Sequence, residues 1–141
     1  MNGRPGLRVV GAVWLGLSLC ACADVTVVAI EDGAGVRRLE VEVEVARTEA
    51  ERRLGLGGRE TLPASEGLWM ELPIRGEVCI VNETVTFPID VVFVSDGAVT
   101  DLALGVAAGE TAATCRVATN VLEVAAGVAG SVEVGDRAAV R

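Results

Sequence analysis

The chain contains no lysine, no histidine and no tyrosine, and all twelve of its basic residues are arginines. Without an imidazole there is no Ser-His-Asp or Cys-His nucleophile, and without a lysine amine there is no Schiff base and no phosphate-loop lysine. The usual zinc sites lose their nitrogen ligands as well. No metal or cofactor site is expected. Aromatic residues are nearly as scarce, confined to Trp14, Trp69, Phe87 and Phe93. The core must therefore be filled by small branched side chains, which suit a sheet better than a helix.

Positive charge is short too. Arg4 and Arg8 are the only charged residues before Asp24, so the remainder carries 20 acidic against 10 basic residues, a formal charge of −10. A polyanion would be repelled, which argues against nucleic acid or an anionic membrane surface as a partner recognised by charge. The same excess keeps an exported domain soluble.

The first residues have the three-part layout of a secretory signal: a short basic start, an apolar stretch over residues 9–19, and small residues with cysteines at 19–23. That apolar run is shorter than the roughly 20 residues a helix needs to cross a bilayer. Its end resembles a bacterial lipobox, with Leu19 three places and Ala21 one place before Cys22. The resemblance implies lipidation at Cys22 and anchoring to a membrane through acyl chains. Ala23 in the next position favours the outer membrane by analogy. The alternative is an ordinary cleavage site that leaves a soluble periplasmic or secreted protein starting at Asp24. Three parts are expected: a signal segment with lipobox over residues 1–22, a tether and first strand over 23–38, and a single domain over 39–141.

Within that domain, residues 85–94 form the densest run of β-branched and aromatic side chains and read as a strand buried on both faces. Pro88 lacks an N–H, so pairing should begin near Ile89. The Asp96-Gly97 step then predicts a hairpin returning over residues 99–104. Leu39, Val41, Val43 and Val45 alternate with Glu40, Glu42 and Glu44, the pattern of a strand with one face on a core. Thr48-Glu49-Ala50-Glu51 is a capping box, predicting a short helix from Glu49 to about Leu54 that stops at Gly55. Short strands are further expected at 68–70, 78–81, 121–124 and 138–140, with breaks at Pro73 and Gly76 and a flexible stretch over 105–113. These elements predict a mostly β (α+β) fold, a small antiparallel sandwich or partly open barrel of about seven short strands with one or two short helices.

Taken in order, these residues resemble domain of unknown function 192. Arg53-Leu54-Gly55-Leu56-Gly57-Gly58-Arg59 with Gly67-Leu68-Trp69-Met70 is similar to that family's Gly-Leu-Met-x-Arg and Gly-Met-Leu-Phe elements. Pro88-Ile89-Asp90-Val91-Val92-Phe93 is similar to its Pro-Leu-Asp-x-x-Phe strand, and Val121-Leu122-Glu123 with Val134-Gly135-Asp136 to its closing elements. The family's Met is Gly57 here, and its Trp-Met-Lys-Asn-Thr segment is matched only loosely around Asn82. The resemblance implies a compact, mostly β, often exported domain with no established activity.

Arg59, Asp90 and Glu123 are the charged residues at matching positions. Two of them sit in apolar strands, where an ionised group is costly unless paired. The expectation is that Arg59 neutralises Asp90 with Glu123 alongside, as a structural salt bridge or as the polar end of a ligand pocket. Cys79 and Cys115 are expected to form a disulfide in an oxidising compartment. A redox pair is the sharper reading, but it lacks Cys-x-x-Cys spacing and an activating base. Two functions follow. One is a cell-envelope accessory module that binds a small ligand or an envelope protein without catalysis. The other is a small exported enzyme, either a hydrolase using Asp90 and Glu123 or a thiol redox protein. The missing His, Lys and Tyr favour the first.

Overall fold

The computed structural model describes residues 24–141, so the signal segment, the lipobox and Cys22 lie outside the described residues. Seven strands and one helix follow in the order β1 (Thr26–Glu31), β2 (Arg37–Ala46), α1 (Glu49–Leu54), β3 (Glu66–Asn82), β4 (Ile89–Ser95), β5 (Ala98–Val106), β6 (Glu110–Ala125) and β7 (Arg137–Val140). They make one sheet that curls into a ring, β1-β2-β3-β6-β4-β5-β7. The closing seam is thin, since β5 meets β7 through the single pair Ala98 and Arg137. Among the described residues no helix is long and apolar enough to cross a membrane.

β4 is the centre of the fold. All seven of its residues are buried, and it pairs antiparallel with β5 on one side and β6 on the other. Its entry follows Pro88, and its exit is a tight turn in which Asp96 (φ 51°) and Gly97 (φ 76°) both take left-handed conformations. That two-residue geometry matches the twist of the flanking strands, and Asp-Gly tolerates it best. The alternation along β2 sends Leu39 and Val41 inward and leaves Glu40, Glu42 and Glu44 exposed. α1 carries both halves of the capping box: Glu51 N–H donates to Thr48 Oγ1 at 3.1 Å, and Thr48 N–H donates to Glu51 Oε2 at 2.9 Å.

Three sequence expectations change. The sheet is not wholly antiparallel, because β2 and β3 run parallel from Glu42 opposite Glu66 to Ala46 opposite Met70. α1 and the loop after it provide the crossover that a parallel pair requires. Residues 68–70 and 78–81 are not separate strands but the two ends of β3. Pro73 sits where the ladder to β6 skips from Glu71 opposite Asn120 to Gly76 opposite Ala118, so its missing N–H costs no ladder bond. Likewise β6 runs unbroken through the stretch read as flexible, leaving only residues 107–109 as the turn from β5. Within the stretch expected as a tether and first strand, residues 26–31 are a stave of the ring, with Val28, Ala29 and Ile30 buried between β2 and β7.

The strands bury both faces. Inside the ring lie Val28, Ile30, Leu39, Val41, Trp69, Val92, Val94, Val99, Leu122 and Val124. On the outer face of β3, β4 and β6 a second layer forms from Leu68, Met70, Ile80, Ile89, Val91, Phe93 and Val121, covered by Leu56, Leu62 and Val85. Two apolar layers on one twisted sheet explain why the β4 sequence is a continuous apolar run.

Candidate functional site

Asp90 falls between the two layers in sequence but belongs to the inner one, on the same side of β4 as Val92 and Val94. Its carboxylate accepts three backbone N–H groups: Gly105 at 2.8 Å on Oδ1, and Gly127 at 2.8 Å and Ala129 at 3.0 Å on Oδ2. It thereby fastens the end of β5 and the turn after β6 to the central strand. Arg59 does not take part. It pairs with Glu44 on the outward face of β2 instead. The expected Arg59–Asp90 bridge is thus replaced by backbone donors, which reach a carboxylate inside the ring where a guanidinium on the outer loop does not. Glu123 stands with neither.

Glu123 is on β6, two places from Val121, and therefore points into the outer layer. It is 4% exposed. Among the described residues no hydrogen bond or ion pair reaches its carboxyl, and burial alone pushes it up to about 7. Its Oε2 lies beneath Gly55, the residue that ends α1 with φ 54°. A side chain at Gly55 would meet both Glu123 Oε2 and the Met70 methyl at 3.6 Å. The helix stops here on a glycine because the positive φ of 54° at this position favours that residue.

Around this carboxyl is a cleft of about 320 Å³. Leu54, Gly55 and Leu56 form one side, Met70 and residues 79–82 of β3 the other, Thr84 and Val85 the far end, and Glu123 the floor. Its size is at the lower end of the range for small-molecule sites. Gly57 lets the two sides approach, since a side chain there would meet Leu54 O at 2.8 Å and Thr84 Oγ1 at 3.2 Å. The end wall is held by Asn82, fully buried, whose amide donates to Phe87 O at 3.1 Å, Val106 O at 3.3 Å and Ala107 O at 2.9 Å. No donor answers its Oδ1.

The disulfide borders the same cleft. Cys79 and Cys115 are directly opposed across β3 and β6, with Cα atoms 4.0 Å apart, and are bonded. Cys79 lines the cleft and is exposed. Arg52 and Arg53 stand at the mouth, already engaged: Arg52 donates to Glu71 O at 3.0 Å and Arg53 pairs with Glu49 at 2.6 Å. Among the described residues no group of three or more His, Cys, Asp or Glu is placed to hold a metal ion.

Of the residues singled out in the sequence, the structure brings Glu123 and Cys79 to one cleft and sends Asp90 and Arg59 elsewhere. Sequence reasoning missed Gly55 as the cover of the site and Asn82 as its brace. The signal for Gly55 was its place after a capped six-residue helix. The signal for Asn82 was a polar residue closing an apolar strand before a proline loop.

The family question is settled by a match over residues 29–140 to the DUF192 family, described as "Uncharacterized ACR". The chain belongs to that family. Among solved structures it is similar to a proposed transcription regulator from Sinorhizobium meliloti, with a TM-score of 0.77 and 21% identity, covering 82% of this chain and 93% of that one. It is also similar to a protein of unknown function from Novosphingobium aromaticivorans, with a TM-score of 0.76 and 24% identity over 82% of this chain and 84% of that one. These likenesses establish the fold. No curated protein matches the chain.

Proposed function

We propose that this chain is an exported, lipid-anchored accessory domain of the cell envelope that holds a small ligand in the Glu123 cleft without transforming it. The observation that carries the reading is the buried Glu123 carboxyl, left without a partner on the floor of an open cleft. An unpartnered buried carboxyl works against folding. Such a group, set in a cleft with a displaced pKa, is a functional-site candidate.

Export is supported by the leader with its Leu19-x-Ala21-Cys22 ending. It is supported independently by the disulfide, a bond that oxidising compartments preserve. A hydrolase using Asp90 and Glu123 would need both carboxyls on one substrate. Instead they face opposite sides of the sheet, and Asp90 is occupied by three backbone donors. A thiol redox role finds no lysine or histidine to activate either sulfur. The transcription-regulator description of the Sinorhizobium protein does not carry over to a chain with a formal charge of −10 after its leader.

The test is a thermal-shift screen of small polar metabolites against the native protein and Glu123→Gln. Compounds that raise the native melting temperature and leave that of the variant unchanged are expected. A library that stabilises neither protein, or both equally, would defeat the reading. Intact mass of the mature protein from its own envelope reads the anchor, with an acylated Cys22 expected and an unmodified Asp24 at the amino terminus excluding it.

A further inference from the structure

The polar groups left unmet around the cleft are of one kind. Glu123 contributes a carboxyl that no protein donor among the described residues reaches, and behind the wall the fully buried Asn82 keeps an unmet Oδ1. Both accept. What Glu123 lacks is an N–H or O–H partner: Arg52 donates to the backbone of Glu71, Arg53 pairs with Glu49, and neither contributes to the Glu123 shift. Leu54, Leu56, Met70, Ile80 and Val85 supply the apolar part of the wall, beside Arg52, Arg53, Glu83 and Thr84. Beyond the cleft the fold is acidic, which raises the local concentration of cations over anions.

We infer that the ligand of the Glu123 cleft is a small organic cation, a primary amine on a short aliphatic chain, with its ammonium on the Glu123 carboxylate and its chain against Met70 and Leu56. This rests on the binding reading above and narrows it. The volume of about 320 Å³ admits such a molecule with room for water at the mouth. An ammonium brings three donors to a carboxyl that no protein donor meets. It also supplies the opposite charge whose absence leaves Glu123 raised to about 7 by burial alone.

The inference dictates how binding depends on pH. The charged groups facing Glu123 across the cleft are Arg52 and Arg53 from α1 and Glu83 from the loop before β4. None of them contributes to the Glu123 shift. Below pH 7 the free carboxyl is largely protonated, so an ammonium must displace that proton to bind. Binding therefore tightens by about tenfold between pH 6 and pH 8, with close to one proton released per amine bound at pH 6.

The probes are n-butylamine and its uncharged counterpart butyramide, titrated into the intact protein and followed by the Met70 methyl resonance and the Glu123 carboxyl carbon. The expected result is that butylamine moves both signals and tightens with pH as stated. In Glu123→Gln its binding weakens roughly tenfold or more, the loss for one charge-assisted hydrogen bond. Butyramide binding equally well in both proteins would overturn the cationic class while leaving the cleft as a binding site. If neither probe moves either signal up to millimolar concentration, the amine inference falls, while the binding reading is decided separately by the thermal-shift screen. Folding of the variant is checked by retention of the ring-layer Trp69 resonances.

Discussion

Asp90 and Glu123 lie on neighbouring strands one place out of register, Asp90 opposite Val124 and Glu123 opposite Val91, and leave the sheet on opposite faces. The first enters the ring and collects three N–H groups, whereas the second enters the outer layer and collects none. One sheet therefore holds two buried carboxyls with different consequences, and single substitutions separate them.

Glu123→Gln is expected to stabilise the protein, and to do so only at higher pH. Its carboxyl rises from 4.5 in the unfolded chain to about 7 in the fold, so the folded state holds more protons between those values and stability falls as pH climbs through that window. Above pH 7 the full penalty stands, on the order of 3 kcal/mol. At pH 4 the variant and the native protein should unfold at nearly the same urea concentration, and at pH 8 the variant should need more. A gap that is equal at both pH values would contradict the burial of an unpartnered carboxyl.

Asp90→Asn should destabilise strongly. Whichever way the amide sits, its NH₂ confronts an N–H that Asp90 now accepts, from Gly105 or from Gly127 and Ala129. The loss is about 2–4 kcal/mol in urea unfolding near neutral pH. Amide exchange at Gly127 and Ala129 should accelerate in the same variant. A loss well under 1 kcal/mol would mean that these bonds are not holding the turn.

Reducing the Cys79–Cys115 bond, or replacing both residues with serine, should lower stability by roughly 3–4 kcal/mol on the loop-closure account for a separation of 36 residues. The urea midpoint with and without reductant reads this directly. Because the two residues already face one another across β3 and β6, the reduced protein should keep its strand spectrum. Loss of the whole sheet signal on reduction would show that the bond creates the pairing and does not merely secure it.

At Gly67, where β3 pairs with β6 opposite Val124, alanine would put its methyl 2.9 Å from Glu123 O and 3.1 Å from Val124 Cγ1. The two strands must separate to admit it, at a cost of about 1–3 kcal/mol. The midpoint of urea unfolding should fall with its slope unchanged. Because the strain lies at Glu123 itself, the carboxyl-carbon shift of Glu123 should move too.

What could be read from the sequence was what is decided within a few residues. Thr48 and Glu51 are three apart and find one another on the first turn of α1, and the Asp96-Gly97 backbone dictates its own turn. The disulfide was legible because Cys79 and Cys115 were the two cysteines left after Cys20 and Cys22. The parallel pairing of β2 with β3 was not, since strand direction there is chosen by a crossover whose path depends on the finished ring. Nor was the partner of Arg59. A charge of −10 offers many carboxylates, and Glu44 across the β2–β3 edge wins by position. The face of Glu123 was readable in principle by parity with Val121, but residues 121–124 are apolar on both sides, so parity did not reveal which layer was which.

The first and last strands of the ring are stitched where they end: Val27 N–H donates to Arg141 O and Arg141 N–H to Val27 O, each at 2.9 Å. Position 141 therefore opens beside position 27. A short Gly-Ser bridge between these neighbours, with new ends cut at Asp96-Gly97, should give a circularly permuted protein with the same ring. A reporter fused after Arg141 would stand beside position 27, whereas one inserted at the 96–97 turn would emerge from the β4–β5 hairpin.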